Sequence, residues 1–482
     1  MYAVVLCTLG LLAAGAAADV CPYKVCSCAE NVISCESLGL TSLPALVSSA
    51  PTVYVLLSFD TNNISTITEA SFPEGLKEIS FMYNPISVID DYAFVGSSNT
   101  LQILSFSNAH FSSIPKAFSF LHALTDLSIS QTYIQDWNVD AMKVLGSTVS
   151  NLDLEDVGLT TWPEWIQYFN TLTHLSIITS SIASIPDGSL HNQVNSLQYL
   201  TLINNNLKAV PKALSELKSV QMLNLMNTKI SDLTYLPQQS KISSLALDNT
   251  SLSNHTHISD MLHPYASSLI NIHLQGNRLQ AIPSLAFLTQ LGSIDLSHNL
   301  ISDSESGSMP PIAYDIQLRY NHLSAIPRIM SSLYSLTSVD LSYNTIKVIR
   351  NSDFHTLMSI VDLSSNLISQ LTDSSFPQNS SIMILTLNYN PIVTITDAAF
   401  QNLQQLSDLY LQNTMLTRLP PALATLGNLK LLDLSGSRHL VCTCSEKNLR
   451  SLFLKLYSIK GTCGLTTLSD FFTILSPSCP DH

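Results

Sequence analysis

The residues in this chain best suited to chemistry are its cysteines. "KVCSC" holds Cys26 and Cys28, and "LVCTC" holds Cys442 and Cys444 more than four hundred residues later. Thiols one residue apart can ligate a metal, form a redox pair, or supply halves of two different disulfides, and the redox compartment decides among these. A second candidate is "SNHTHISDMLHP", where His255, His257 and His263 fall close enough together to be metal ligands. Such imidazoles would need to converge, each with an acceptor behind it. Their segment follows a strand and is expected to be a returning surface loop, and "NHT" makes Asn254 a glycan acceptor. There is no nucleophile elbow, HExxH or phosphate loop. The expectation is therefore a non-enzyme with no catalytic residue, no cofactor and no metal.

The compartment is set by the first residues. "AVVLCTLGLLAAGAAA" carries no charge and closes on small residues before Asp19, which reads as a signal peptide over 1–18 that takes Cys7 with it. Two even sets of cysteines remain: Cys21, Cys26, Cys28 and Cys35, then Cys442, Cys444, Cys463 and Cys479. No later stretch reaches the roughly 20 apolar residues that span a bilayer. "LFLKLYSIK" carries two lysines, and "SCPDH" supplies no hydrophobic tail. Secretion to the extracellular space is expected, with no membrane span.

Hydrophobic residues make up 46% of the 482 positions, enough for a large core, while charged residues make up 12%, about half the usual share. The net charge of −14 argues against nucleic acid, whose phosphates it would repel.

A repeat fills the space between the cysteine clusters. "LTSVDLSYNTI" from Leu336 has apolar residues at its first, fourth, sixth and eleventh positions and Asn at its ninth. "LKEISFMYNPI", "LQYLTLINNNL", "LINIHLQGNRL" and "LGSIDLSHNLI" keep the same frame. Seventeen copies fit, with ninth positions running from Asn62 to Ser437 at a mean period of about 23 residues. Positions four and six make a short strand facing a shared core, while three, five and seven face away. One coil cannot bury its own leucines, so the coils must stack. The ninth side chain turns inward to satisfy backbone groups, which Ala109 and Val157 cannot do, so the ladder is expected to be looser there.

Both ends of such a stack need caps. "CPYKVCSCAENVISCESLGLTSLP" and the "CTC" segment with its helical "NLRSLFLKLY" resemble the cysteine-rich caps of the extracellular leucine-rich-repeat superfamily, which includes Slit-like, Toll-like and lamprey variable-receptor proteins. The resemblance implies an α/β solenoid: a curved leucine-rich-repeat horseshoe with a parallel concave sheet and disulfide-bonded terminal caps. It further implies an N-terminal cap over 19–52, repeats over 53–440 and a C-terminal cap over 441–482. It implies the pairs Cys21–Cys28, Cys26–Cys35, Cys442–Cys463 and Cys444–Cys479. Zinc at the caps is the competing reading, and the C-terminal cap lacks the Pro-Trp that often precedes it.

Solenoids bind through the concave face, so function is sought at positions three, five, seven and eight. These positions carry thirteen acids and one base, Arg319. Five of the acids, Asp153, Asp295, Asp340, Asp362 and Asp433, sit at the fifth position, where a structural or solubility role accounts for them, which leaves eight acids against one base. Tyr320, Tyr343 and Tyr389 share the eighth position, and Tyr410 follows one coil on at the fifth. Tyrosine is enriched where interfaces concentrate their binding energy. The candidate site is Asp315, Arg319, Tyr320, Asp340, Tyr343, Asp362, Tyr389, Asp408 and Tyr410, with Tyr199, Ile203, Met222 and Met226 as the rival patch. Sequons mark Asn63, Asn249, Asn254 and Asn379, and a glycan on Asn249 would shade the rival patch. The expected partner is an extracellular protein or glycoconjugate, preferably basic, in an immune, adhesion or signalling role. A homodimer stays open, and the alternative is a self-associating matrix component.

Overall fold

A computed structural model describes residues 21–47 and 54–479. The expected signal peptide lies outside the described residues. The described residues fall into two compact units, one up to residue 159 and over 163–180, the other over 160–162 and from 181 on.

In the first unit, the antiparallel pair Ser27–Ala29 and Val32–Ser34 leads into a parallel ladder. That ladder continues through Leu56–Ser58, Glu78–Phe81, Ile103–Ser107, Asp126–Ser130, Asn151–Glu155 and His174–Ile178. The fourth-position residues Leu57, Ile79, Leu104, Leu127, Leu152 and Leu175 are register partners in turn and all are buried. The sixth position adds an aromatic spine: Tyr23 of the cap meets Phe59, which stacks on Phe81, which stacks on Phe106, with ring centroids 5.5–5.6 Å apart. The N-terminal cap thus closes the core with a buried ring as well as its disulfides Cys21–Cys28 and Cys26–Cys35.

The second unit repeats the scheme from Tyr199–Ile203 through Met222–Asn224, Ser244–Ala246, Asn271–His273, Ser293–Asp295, Asp315–Gln317, Ser338–Asp340, Ile360–Asp362, Ile384–Thr386, Asp408–Tyr410 and Leu431–Asp433. Its last rung is Ser458–Lys460, supplied by the C-terminal cap. That cap carries Cys442–Cys463 and Cys444–Cys479. Its expected helix is a 3₁₀ turn over Cys444–Leu449 running into the α-helix Arg450–Phe453, opened by a capping box between Thr443 and Glu446. On the far side from the strands, several coils return through a 3₁₀ helix placed directly after a proline, as in Pro211 before Lys212–Glu216 and Pro327 before Arg328–Ser331. Proline's fixed φ suits that entry.

Ninth-position asparagines behave as the sequence requires. Asn344 Nδ2 donates to the Leu318 and Leu341 carbonyls at 3.0 and 3.1 Å, and its Oδ1 accepts from Leu323 N–H at 3.0 Å. Asn299, Asn321, Asn366 and Asn390 bridge neighbouring coils the same way. At Val157 the bond is rerouted: Ile134 N–H donates to the Val157 carbonyl at 3.1 Å instead of to a side chain. Before Ala109, Ile86 N–H falls back on Asn84 of its own coil.

Candidate functional site

The strand face of the second unit is built from two columns of side chains on the strands and a third at the turn that ends each strand. This third, eighth-position column has a property the sequence does not announce. All seventeen of its residues have positive φ, from Thr61 at 59° in the first unit to Gly436 at 75° in the second. Only glycine, and to a lesser degree Asn and Asp, occupies this left-handed region cheaply. Asn108, Asn204, Asn227, Asn249, Asn413, Gly276 and Gly436 fit that preference. Four bulky rings of the second unit do not: His298, Tyr320, Tyr343 and Tyr389, with φ of 53–55°.

Three of these rings form one stack. His298 and Tyr320 have centroids 4.4 Å apart, and Tyr320 and Tyr343 are 4.1 Å apart. Arg319 lies beside the pair, its guanidinium carbon 4.8 Å from the Tyr320 centroid and 5.2 Å from that of Tyr343. Hydrogen bonding to Arg319 holds the Tyr320 phenol below its ordinary pKa. Tyr343 remains 41% exposed and Tyr389 58%.

The other candidates are distributed differently. Asp340 and Asp362 are register partners on adjacent strands. Each accepts the backbone N–H two residues on, Ser342 and Ser364, at 2.8 Å. Asp295 and Asp433 do the same, so the fifth-position aspartates first serve the turn that follows their strand. Burial pushes the Asp362 carboxyl above its ordinary pKa despite that bond. Tyr410 sits beside Asp433 on the neighbouring rung. Asp315 and Asp408 share the other column, four rungs and about 19 Å apart at the usual strand spacing, the span that also separates the coils of Tyr320 and Tyr410. In the rival patch, Tyr199 and Met222 are register partners.

Several expectations are corrected here. The seventh position does not face outward in every coil: Ser107, Asp248, Ser297 and Ser342 are buried, because the chain is already turning towards the core there. Arg319 is an exception and is exposed. The face also carries a base besides Arg319. Lys460, on the rung donated by the cap, stands 3.9 Å from Asp433. His273 Nδ1 lies 3.8 Å from Asp248, which also accepts the Gln275 N–H at 2.8 Å and whose pKa burial raises.

"SNHTHISDMLHP" is not a loop. His255–Leu262 is an α-helix whose N-cap, Asn254, accepts from the Thr256 and His257 N–H groups. The helix sends its histidines to separate partners: His257 Nε2 to Asp232 at 3.1 Å, and His263 onto the Phe287 ring at 3.9 Å. Among the described residues no group of three or more His, Cys, Asp or Glu is arranged to hold a metal. Asn249 is also more committed than its sequon suggests. Its Nδ2 donates to Asn227 Oδ1 at 2.9 Å, and its Oδ1 lies where a Cβ on Gly276 would stand, 2.0 Å away. A sugar on that nitrogen would replace the Asn227 bond.

Two side chains of this strand face went unnoticed in the sequence. His298 shares the eighth position but breaks the "YN" pattern that drew attention to the tyrosines. Lys460 lies in "YSIKG", inside the expected cap over 441–482, and there belongs to the last strand, Ser458–Lys460.

Models of known families match most of these coils. The model described as "Leucine rich repeat" matches 170–230, 356–416 and 380–439, and "BspA type Leucine rich repeat region (6 copies)" matches 56–147. With repeats matched in both units and a disulfide-bonded cap at each end, the family is decided. The chain belongs to the capped leucine-rich-repeat superfamily. Mouse "Leucine-rich repeats and immunoglobulin-like domains protein 2" is 32% identical over 117 residues, 24% of this chain and 11% of that protein. Mouse Podocan is 27% identical over 286 residues, 56% of this chain and 42% of that one. A stretch of 272 residues is 28% identical to 14% of the adenylate cyclase of Schizosaccharomyces pombe. This leucine-rich-repeat protein thus spans well under two thirds of these relatives. A leucine-rich-repeat protein of Leptospira interrogans shares the fold at TM-score 0.58 and 19% identity, over 87% of this chain and 93% of that one. Among the described residues no helix is long and apolar enough to cross a membrane.

Proposed function

We propose that this leucine-rich-repeat protein is a secreted, non-catalytic recognition protein that binds an extracellular protein or glycoconjugate through the strand face of its second unit. The binding centre is the aromatic stack of Tyr320 and Tyr343 with Arg319, joined by Asp340 and Asp362 and continued by Tyr389 and Tyr410. His298 is added to that centre, while Asp315 and Asp408 are left to the periphery. One observation supports the reading above the rest: His298, Tyr320, Tyr343 and Tyr389 hold left-handed backbone that the coils flanking this run give to glycine and asparagine, Gly276 and Asn413. Strain of this kind persists where it serves a role other than stability. A rigid coil array offers these rings at low ordering cost.

The test is capture from an extracellular and cell-surface extract by the purified protein, beside a Tyr343→Ala, Tyr389→Ala, Tyr410→Ala variant of matched circular dichroism. A partner held by the first and lost by the second is the expected result. A partner held equally moves the site away from these rings. Capture of the chain by itself alone favours the matrix alternative.

A further inference from the structure

We propose that the break in the aromatic column between Tyr343 and Tyr389, above Asp362 and Ser365, receives a cationic side chain, an arginine of a basic protein partner. The inference rests on the recognition reading above and adds the chemistry of the group recognised.

The column is continuous in backbone. Tyr320, Tyr343, Ser365 and Tyr389 each donate their N–H to the seventh-position carbonyl of the next coil, Ser342, Ser364, Asn388 and Gln412, at 2.8–3.0 Å. Eighth-position residues therefore climb one coil at a time. Rings occupy three consecutive places, His298, Tyr320 and Tyr343, and then Ser365 leaves one place without a ring before Tyr389 resumes. Two strand spacings separate the backbones of Tyr343 and Tyr389 by about 10 Å. One planar group fits midway between them, about 5 Å from each, close to the spacing at which the neighbouring rings of the column already stack. Both tyrosines are more than two-fifths exposed, so the place is open to solvent.

The chemistry of the occupant is indicated by a group already present. Arg319 stacks its guanidinium against Tyr320 and Tyr343 at 4.8 and 5.2 Å from the centroids. A second guanidinium beyond Tyr343 would repeat that contact on the next place of the same column. Guanidinium is planar, weakly hydrated and stacks on aromatic faces, which a lysine ammonium does less well. Beneath the open place lies Asp362, with Asp340 on the adjacent strand. Its coil, "MSIVDLSSNLI", contains no lysine or arginine, and the charge of Arg319 that reaches it does not offset its burial. Asp362 is a partly buried carboxylate whose ionised form burial disfavours, and an incoming cation would favour that form. A chain of net charge −14 would also draw a basic partner towards this face.

The probe is a hexa-arginine peptide, titrated calorimetrically into the purified protein beside a hexa-citrulline peptide, its neutral planar counterpart. Hexa-arginine is expected to bind at least about tenfold tighter. Ser365→Tyr completes the ring column and fills the place, in a conformation its tyrosine neighbours already adopt. Ser365→Tyr, Tyr389→Ala and Asp362→Asn should each weaken hexa-arginine binding at least about tenfold while circular dichroism stays unchanged. Equal binding of both peptides, no binding of hexa-arginine, or variants that bind it as the wild type does would each overturn the proposal. Binding of a neutral oligosaccharide that Ser365→Tyr abolishes, with no arginine preference, would assign the place to a glycan. If extract capture still depends on Tyr343 while hexa-arginine does not bind, the recognition reading survives and this inference fails.

Discussion

Tyr389 has no reason of stability to be a tyrosine. Its φ is 54°, its ring is 58% exposed, and the next coil places Asn413 at the same point with the same φ. Tyr389→Asn should therefore raise stability by about 1 kcal/mol, read as a higher denaturant midpoint, while weakening partner capture. A loss of stability would make the ring a structural staple instead. His355 poses the opposite case, a buried imidazole whose Nδ1 accepts the Leu357 N–H at 3.1 Å. Burial lowers its pKa, so the folded chain binds this proton less readily than the unfolded chain, whose histidine titrates near about 6.5. The associated stability is complete above that value and lost as pH falls through the lowered folded pKa. Denaturant midpoints from pH 7.5 to 5 should fall less steeply in His355→Gln than in the wild type.

The coils differ from one another in how they are tied together, and this can be measured element by element. Asn344 fixes three buried backbone groups from two coils. The coils at Ala109 and Val157 substitute single backbone bonds, Ile86 to Asn84 and Ile134 to Val157. Backbone amides of those two coils should exchange faster than those around Asn344, and equal rates would show that the rerouted bonds compensate fully. At the C-terminal cap, Arg418 Nε donates to Glu446 Oε1 at 2.5 Å, and Glu446 is 4% exposed. Its other oxygen accepts the Thr443 N–H at 2.7 Å and so holds the start of the cap helix. Arg418→Ala should cost about 2 kcal/mol, less than for a fully buried pair because the arginine is half exposed. The loss should appear as faster exchange in Cys444–Phe453 with little change in the Tyr199–Ile203 strand.

Over the whole molecule, 35 acidic against 21 basic side chains leave a field that should steer a basic partner. The association rate of the captured partner should fall as salt rises from 50 to 500 mM while dissociation changes less. A rate indifferent to salt would remove charge from the mechanism. The sequence by itself determined the coil, its period and its core, because one apolar frame repeated seventeen times has only stacking with which to bury its leucines. Residue identities also made the ninth asparagine's inward role legible, since an amide both donates and accepts. Tertiary structure alone decided what the eighth position means. Backbone conformation there is imposed by the next coil, so a tyrosine that reads as ordinary in "YN" is a strained residue in place. The fifth-position carboxylates do take the structural role their place in the repeat suggested, but only the structure shows which bond each one makes. A list of acids cannot distinguish Asp340, bonded to Ser342 N–H, from a free charge, nor show that His298 completes a stack or that Lys460 belongs to the last strand. Such pairings arise between coils 20 or more residues apart, where sequence supplies the partners and only their stacking sets the distance.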